Sequence, residues 1–262
     1  MNADTDIKFH GANPLPPQAT PQQRRKHLQS LTVKVKSQVR YLGVYIRQDC
    51  STHTDITTRI GKARAAFNKL HLFWRHSNLT TQWKLRVYKA AFIPMLTYGM
   101  ESATLTQPQA NRLNAFHCQC LRKILNHKAT YYTEVLDPTA PTVNNQAILD
   151  EANIPQLTDI IATQQLKLLG HILREPFSEL TRNVSFTKAF IYRGRGGKQR
   201  RGRRRFHWIE ETCKMAWRLL EVSQPQFAYN AYNPPHTFLK LSQWASHRAD
   251  WQKLIHLPTC SE

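Results

Sequence analysis

The sequence predicts a mainly α-helical protein with one small β-hairpin, on three observations. Apolar residues recur at steps of three and four along most of the chain. Threonines and prolines stand where helices of that register would begin. Period-two alternation is confined to one short stretch near residue 40. The 262 residues are 41% hydrophobic, which argues against wholesale disorder and suits one large domain or two small ones.

Taken in order, residues 1–30 contain Pro14, Pro16, Pro17 and Pro21 and a basic cluster of Arg24, Arg25 and Lys26. They are expected to form a flexible leader, or to mark the point at which a longer polypeptide was cut. Val33, Val35, Val39, Tyr41 and Val44 alternate around Ser37 and Gln38, which predicts the hairpin. Ile56, Ile60, Ala63, Phe67, Leu70 and Trp74 then form one apolar helical stripe, with Thr52 and Asp55 as its cap. A second helix is expected from Thr80 or Thr81, with Trp83, Val87, Ala91 and Met95 inward and Pro94 kinking or ending it. A third is announced by Thr106 and Pro108 and runs through Leu113, Phe116, Cys120 and Ile124. These elements make a first domain of 31–130.

The prolines at 138 and 141 predict a linker over 137–142. Pro155 precedes a helix carrying Leu157, Ile161, Leu168 and Ile172, and after Pro176 the periodicity fades. A helix over 206–221 follows, with Ile209, Cys213, Ala216 and Leu220 on one face, closing a second region of 131–222. After Pro225, Pro234 and Pro235, residues 223–262 are expected to form a C-terminal helical tail. Its helix would span 237–255, with Leu241, Trp244, Arg248 and Trp251. No repeat of fixed period is present.

Charge points to function more directly than the fold does. There are 37 Lys and Arg against 17 Asp and Glu, a net +20, so a polyanionic partner is expected. Between Asp55 and Glu134 the sole carboxylate is Glu101. That stretch holds Arg59, Lys62, Arg64 and Lys69, then Lys84, Arg86 and Lys89, then Arg112, Arg122 and Lys123. A solvated helix face normally mixes signs, so these helices are expected to present uncompensated cations to a phosphate backbone. The densest cluster is Arg193, Arg195, Lys198, Arg200, Arg201, Arg203, Arg204 and Arg205, interleaved with glycines. Arginine forks suit phosphate oxygens, while a nuclear-localisation signal or a linker remain alternative readings of the same segment. Trp74, Trp83 and Tyr88 stand beside basic residues and can stack on bases, but both tryptophans fall on the predicted apolar stripes.

Catalytic and metal signals are weak. Asp150-Glu151 and Glu210-Glu211 are adjacent pairs that point apart on a helix, with no third carboxylate placed by any motif. Cys118 and Cys120 have the wrong spacing for zinc, and His117 with Cys120 supplies only two ligands. No nucleophile elbow, phosphate-binding loop or dinucleotide fingerprint occurs, so no enzyme activity, cofactor or metal is expected. The first residues lack the features of a signal peptide, and the apolar run over 90–96 is too short to span a bilayer. Five cysteines without regular spacing point to a reducing compartment, nucleus or cytoplasm, and not to secretion or a membrane.

Several ordered segments resemble the region downstream of the palm in non-LTR (LINE-type) retrotransposon reverse transcriptases. They are Tyr41-Leu-Gly-Val-Tyr-Ile46; Ile56 to Ile60 with Lys62, Ala63, Ala66 and Phe67; and Lys84 to Tyr88 with Pro94, Leu96 and Tyr98 to Glu101. Leu113 with Cys120 to Ile124, Leu166 to Arg174, and the Gly/Arg run leading into Trp208 complete the order. The resemblance implies a primer-grip hairpin, a helical thumb-like bundle and a basic connector that hold template–primer duplex by its backbone. It places Tyr41, Leu42 and Gly43 beside the primer end, and Gly170, His171 and Arg174 in the connector. The family's three metal-binding aspartates have no counterpart, since no Ala-Asp-Asp is present. The expectation is therefore a non-catalytic fragment from a truncated reading frame, binding RNA, DNA or an RNA–DNA hybrid. Two alternatives stand beside it: part of an active polymerase whose palm is on another chain, and a basic structural RNA- or chromatin-binding protein.

Overall fold

A computed structural model describes residues 6–9, 31–34, 36–47, 51–76, 78–127, 143–186, 207–223 and 234–256. Helix makes up 73% of the described residues, so the chain is mainly α. It divides into two compact units, Met1–Thr54 and Asp55–Glu262.

The first unit holds two antiparallel strand pairs, β1 (Asp6–Phe9) with β2 (Leu31–Lys34) and β3 (Gln38–Tyr41) with β4 (Val44–Arg47). The expected hairpin is therefore present, but its turn is not at Ser37-Gln38. Tyr41 pairs with Val44 across Leu42-Gly43, whose φ angles are 46° and 87°. Two positive φ values are what a tight hairpin turn needs to match strand twist, and Gly43 adopts one without steric cost. Ser37-Gln38 offers no such residue. The strand Asp6–Phe9 also corrects the reading of residues 1–30 as a leader throughout, because Leu31–Lys34 pairs with it instead of opening the predicted hairpin.

The second unit is helical. Its helices are α1 (His53–Lys69), α2 (His71–His76), α3 (Thr81–Val87), α4 (Ile93–Thr97), α5 (Gln107–Ile124) and α6 (Asn145–Ala152). They continue with α7 (Leu157–Arg174), α8 (Leu180–Ser185), α9 (Trp208–Ser223), α10 (Pro234–Ser246) and α11 (Arg248–Ile255). The starts follow sequence chemistry. The Thr80 hydroxyl accepts from the Trp83 amide at the head of α3. Thr106 and Gln109 form a capping box on α5, with Pro108 in the first turn. Asn144 Oδ1 accepts from the Ala147 amide at the head of α6.

Pro94 does not end the second predicted helix. A π-helical turn, Tyr88–Phe92, joins α3 to α4 just ahead of it. Proline has no N–H to donate and crowds the carbonyl one turn back, and the wider turn accommodates both. The inward stripe also differs from the expected one. Leu85, Tyr88, Phe92 and Leu96 are buried, whereas Trp83, Ala91 and Met95 are exposed and Val87 is half-buried. Both stripes have helical spacing, but the buried one removes more apolar and aromatic area from water. Phe67, Trp74, Tyr88 and Phe92 form one aromatic cluster, with the Phe67 and Trp74 rings stacked at 4.8 Å.

Two hydrophobic cores result. The first joins α1, α3, α5 and α6 to the start of α7, through residues such as Ile56, Leu113, Ile148 and Leu157. The second joins the rest of α7 to α9, α10 and α11, through Leu169, Cys213, Leu220, Leu241 and Trp251. Helices α10 and α11 thus contribute to a core rather than forming a separate tail. The expected helix over 237–255 is broken at His247, whose extended backbone separates α10 from α11. Helix α6 packs on α5 although the sequence places it beyond the boundary at 130. Among the described residues no helix is long and apolar enough to cross a membrane.

His117 sits fully buried in the first core, with its Nδ1 sharing a hydrogen bond with the Tyr88 hydroxyl at 2.8 Å. Its Nε2 has no well-formed hydrogen bond. Burial pushes the imidazole pKa from 6.5 down to about 4, and the Pro155 carbonyl offsets this only in part. Between these values the unfolded chain binds the proton and the folded one does not. The associated stability is therefore complete above pH 6.5 and lost as pH falls through 4. From pH 7 to pH 5 the loss is expected to be about 2 kcal/mol. Urea midpoints at the two pH values, in the wild type and in His117→Gln, check this: the variant's extra sensitivity to acid should be smaller by that amount.

Candidate nucleic-acid interface

The cations expected on helix faces divide into two groups by what their stripe positions allow. Arg59 lies on the apolar stripe of α1, 7% exposed, with Nε donating to Asp55 Oδ2 at 2.7 Å. Lys84 is 9% exposed, and its ammonium donates to the Trp74 carbonyl at 2.8 Å, in the last turn of α2. Arg122 is 8% exposed and donates to the Val143 carbonyl at 2.7 Å and Asn145 Oδ1 at 2.9 Å, ahead of and at the start of α6. These three are corrections to the expected interface. What removes them is burial: each is under a tenth exposed and turns donors inward, Arg59 to a carboxylate and Lys84 and Arg122 to backbone carbonyls, so none is presented to a phosphate outside. Lys89 is exposed, but its ammonium donates to the Asn153 carbonyl at the end of α6, at 3.0 Å.

The second group is exposed and, among the described residues, lacks carboxylate partners: Lys62, Arg64 and Lys69 on α1, Arg86 on α3, and Lys123 on α5. Arg64 and Lys123 meet across a cleft of about 380 Å³ between α1 and α5, lined also by Phe67, Asn68, Phe116, Gln119 and Cys120. The Arg64 guanidinium lies 5.6 Å from the centroid of the Phe116 ring, and the Lys123 ammonium 6.0 Å from that of Phe67. Further along, Arg112 Nη1 donates to the Thr57 hydroxyl at 3.3 Å. The pairings 57 with 112, 64 with 116 and 67 with 123 mean that the two helices run parallel. They set Arg64 and Lys123 on the two sides of one furrow, with Arg112 further along the same pair of helices. Among the described residues no carboxylate lines the cleft. Aromatic floors hold the cations by their quadrupoles without neutralising them, so the field stays open to an anion.

Trp83, expected inward, is 54% exposed, with the Arg86 guanidinium 5.2 Å from its ring centroid. An exposed indole beside an arginine is the pairing on which a base can stack. Trp74 and Tyr88 are buried in the aromatic cluster and are closed to that role. On the hairpin, Tyr41 and Leu42 are exposed and Gly43 forms the turn. The segment carrying Arg193, Arg195, Lys198, Arg200, Arg201, Arg203, Arg204 and Arg205 lies outside the described residues, as does the linker predicted over 137–142. Gly170, His171 and Arg174 lie together at the end of α7. There His171 is exposed and pairs with Glu175 at 3.0 Å, so it is neither a core residue nor a buried ligand. Among the described residues no group of three or more His, Cys, Asp or Glu is placed to hold a metal ion.

Comparison of the chain with known protein families, curated proteins and solved structures finds no match. What the site can do follows from its own residues. Sequence reasoning missed the furrow and Trp83's exposure, since both depend on which of two neighbouring stripes turns inward. It also missed the burial of Arg59, for which a signal existed: Asp55 stands four residues earlier, the spacing of a helical ion pair.

Proposed function

We propose that this chain is a non-catalytic nucleic-acid-binding protein that grips RNA, DNA or an RNA–DNA hybrid by its phosphates. The furrow between α1 and α5, lined by no carboxylate among the described residues, is its seat. The single observation that carries this reading is the pair Arg64 and Lys123, exposed and lacking acidic partners across one cleft, with Lys62 and Lys69 on the same helix. A net charge of +20 supplies the long-range attraction, and Trp83 with Arg86 offers a stacking platform. The resemblance to the thumb and connector of LINE-type reverse transcriptases fits the same role, and the missing Ala-Asp-Asp is the ground for calling it non-catalytic. A nuclear or cytoplasmic setting belongs to this reading, because that is where such partners occur.

The test is the affinity for an RNA–DNA hybrid duplex as a function of salt. Affinity should fall by orders of magnitude between about 50 and 200 mM salt, as counterion release from several phosphates requires. Replacing Arg64 and Lys123 together by Gln should lessen the slope of log K against log salt by about 2. A flat salt profile, or an unchanged slope in the double variant, would overturn the assignment of the furrow.

A further inference from the structure

A second cationic pocket lies outside the α1–α5 furrow, in the second core. Helices α7 and α11 pack antiparallel: the Trp251 indole reaches the Leu166 carbonyl, donating at 3.0 Å, while Arg248 lies close enough to Arg174 to disfavour its charge. Lys167, His171 and Arg174 share one face of α7 at spacings of four and three, and Arg248, Trp251 and Ile255 face them from α11. Between the helices is a cavity of about 260 Å³ lined by these residues and Gln252.

Four features of its charge stand out. Arg174 is anchored, with Nη1 donating to the Ala245 carbonyl at 3.1 Å, so its fork is held at the pocket wall. Burial, and then the neighbouring Arg248, both lower its pKa, which means that two like charges are held together at a cost. Arg248 is the first residue of α11, where the positive end of the helix dipole adds to the strain instead of relieving it. Among the described residues Lys167, Arg174 and Arg248 form no ion pair with a carboxylate; Glu175 is paired with His171 and accepts from Thr181, and Asp250, in the first turn of α11, lies 3.7 Å from the Lys253 ammonium.

We propose that this pocket binds a dianionic phosphoryl group, whether of free phosphate, a nucleotide or the terminal phosphate of a strand. Size supports this, because typical small-molecule sites are about 300–1,000 Å³ and this one is smaller. Charge supports it further. An internal phosphodiester carries one negative charge, whereas a terminal phosphate carries about −1.5 to −2 at pH 7, nearer to the three cations assembled here. Anchored arginine forks are also the geometry that phosphate oxygens take. The inference does not rest on the α1–α5 furrow and stands or falls separately from it.

The experiment is calorimetric titration of the full chain with inorganic phosphate, adenosine 5′-monophosphate and a dinucleoside phosphodiester, at constant ionic strength. Saturable one-to-one binding of the two monoanion-to-dianion ligands is expected, with the diester at least tenfold weaker. Arg248→Gln and Lys167→Gln should each weaken phosphate binding at least tenfold, while replacing the arginines of 193–205 by Ser should leave it in place. Equal affinity for phosphate and the nucleotide identifies the phosphoryl group alone as the ligand, and tighter nucleotide binding adds the sugar to it; both uphold the pocket. Absence of saturable binding, unchanged binding by Arg248→Gln, or a diester bound as tightly as the monoester overturns it.

Discussion

Replacing Asp55 by Ala is expected to destabilise the helical unit by about 3–5 kcal/mol, the usual result of breaking a buried ion pair from one side. The pair is deep: Asp55 is 3% exposed, Arg59 is 7% exposed, and the two meet at 2.7 Å. Without the carboxylate, the Arg59 guanidinium stays in the core with the Tyr98 ring, 5.5 Å from its centre, as its remaining electrostatic support. Among the described residues its Nη2 already has no hydrogen-bond partner. The loss would show as a lowered urea midpoint at constant m-value. Changing both residues to Leu should recover most of it, since two apolar side chains leave no stranded charge. If Asp55→Ala left the midpoint where it was, Arg59 would have to be counted among the cations available to phosphate.

A comparable effect is expected at Gly170. A Cβ there would stand 2.2 Å from Trp251 Nε1 and 2.7 Å from two further indole atoms. Although the ring borders the α7–α11 pocket, shifting it would cost the contacts it makes. It is 2% exposed in the second core, and its N–H is committed to the Leu166 carbonyl at 3.0 Å. Gly170→Ala should therefore overpack the α7–α11 contact and displace that donor, at about 3 kcal/mol together. Thermal unfolding checks it, and Trp251→Phe gives the discriminating comparison. In that background the alanine should cost much less, because the smaller ring vacates the space and carries no N–H to strand. Glycine here serves close approach of a side chain rather than an unusual backbone angle.

How far the sequence could be read follows from where the physics is local. Helix starts at Thr80 and Thr106 were legible because caps act within four residues and use their own first turn, whereas the short helix capped by Asn144 was not anticipated. Long stripes of large residues were legible too, as at Leu113, Phe116, Cys120 and Ile124. The choice between the Trp83 and Leu85 stripes was not. Both have helical spacing, and the deciding quantity is the area that opposing helices can cover. Strand pairing failed for the same reason, since Leu31–Lys34 found its partner at Asp6–Phe9 instead of along the adjacent chain. The interface shows this division most sharply. Positive charge was evident from composition, but Lys84 and Arg122 were withdrawn from the surface by backbone carbonyls, which carry no sequence signature. The α7–α11 pocket was half visible, with Lys167, His171 and Arg174 in helical register and Arg248 brought to them only by tertiary packing.

The buried cysteines give the two cores separate reporters. Cys118 and Cys120 belong to the first and Cys213 to the second, each at most 4% exposed. Burial raises the Cys118 thiol pKa and pushes that of Cys120 up to about 12, so thiolate is scarce as well as sheltered. An alkylating reagent can therefore reach them only through opening events, and its rate at each position measures how often that core opens. Because α7 runs unbroken from one core into the other, matched rates at Cys120 and Cys213 would mark the helix as a shared spine that opens as a unit. Divergent rates would mark a chain whose halves breathe independently around it.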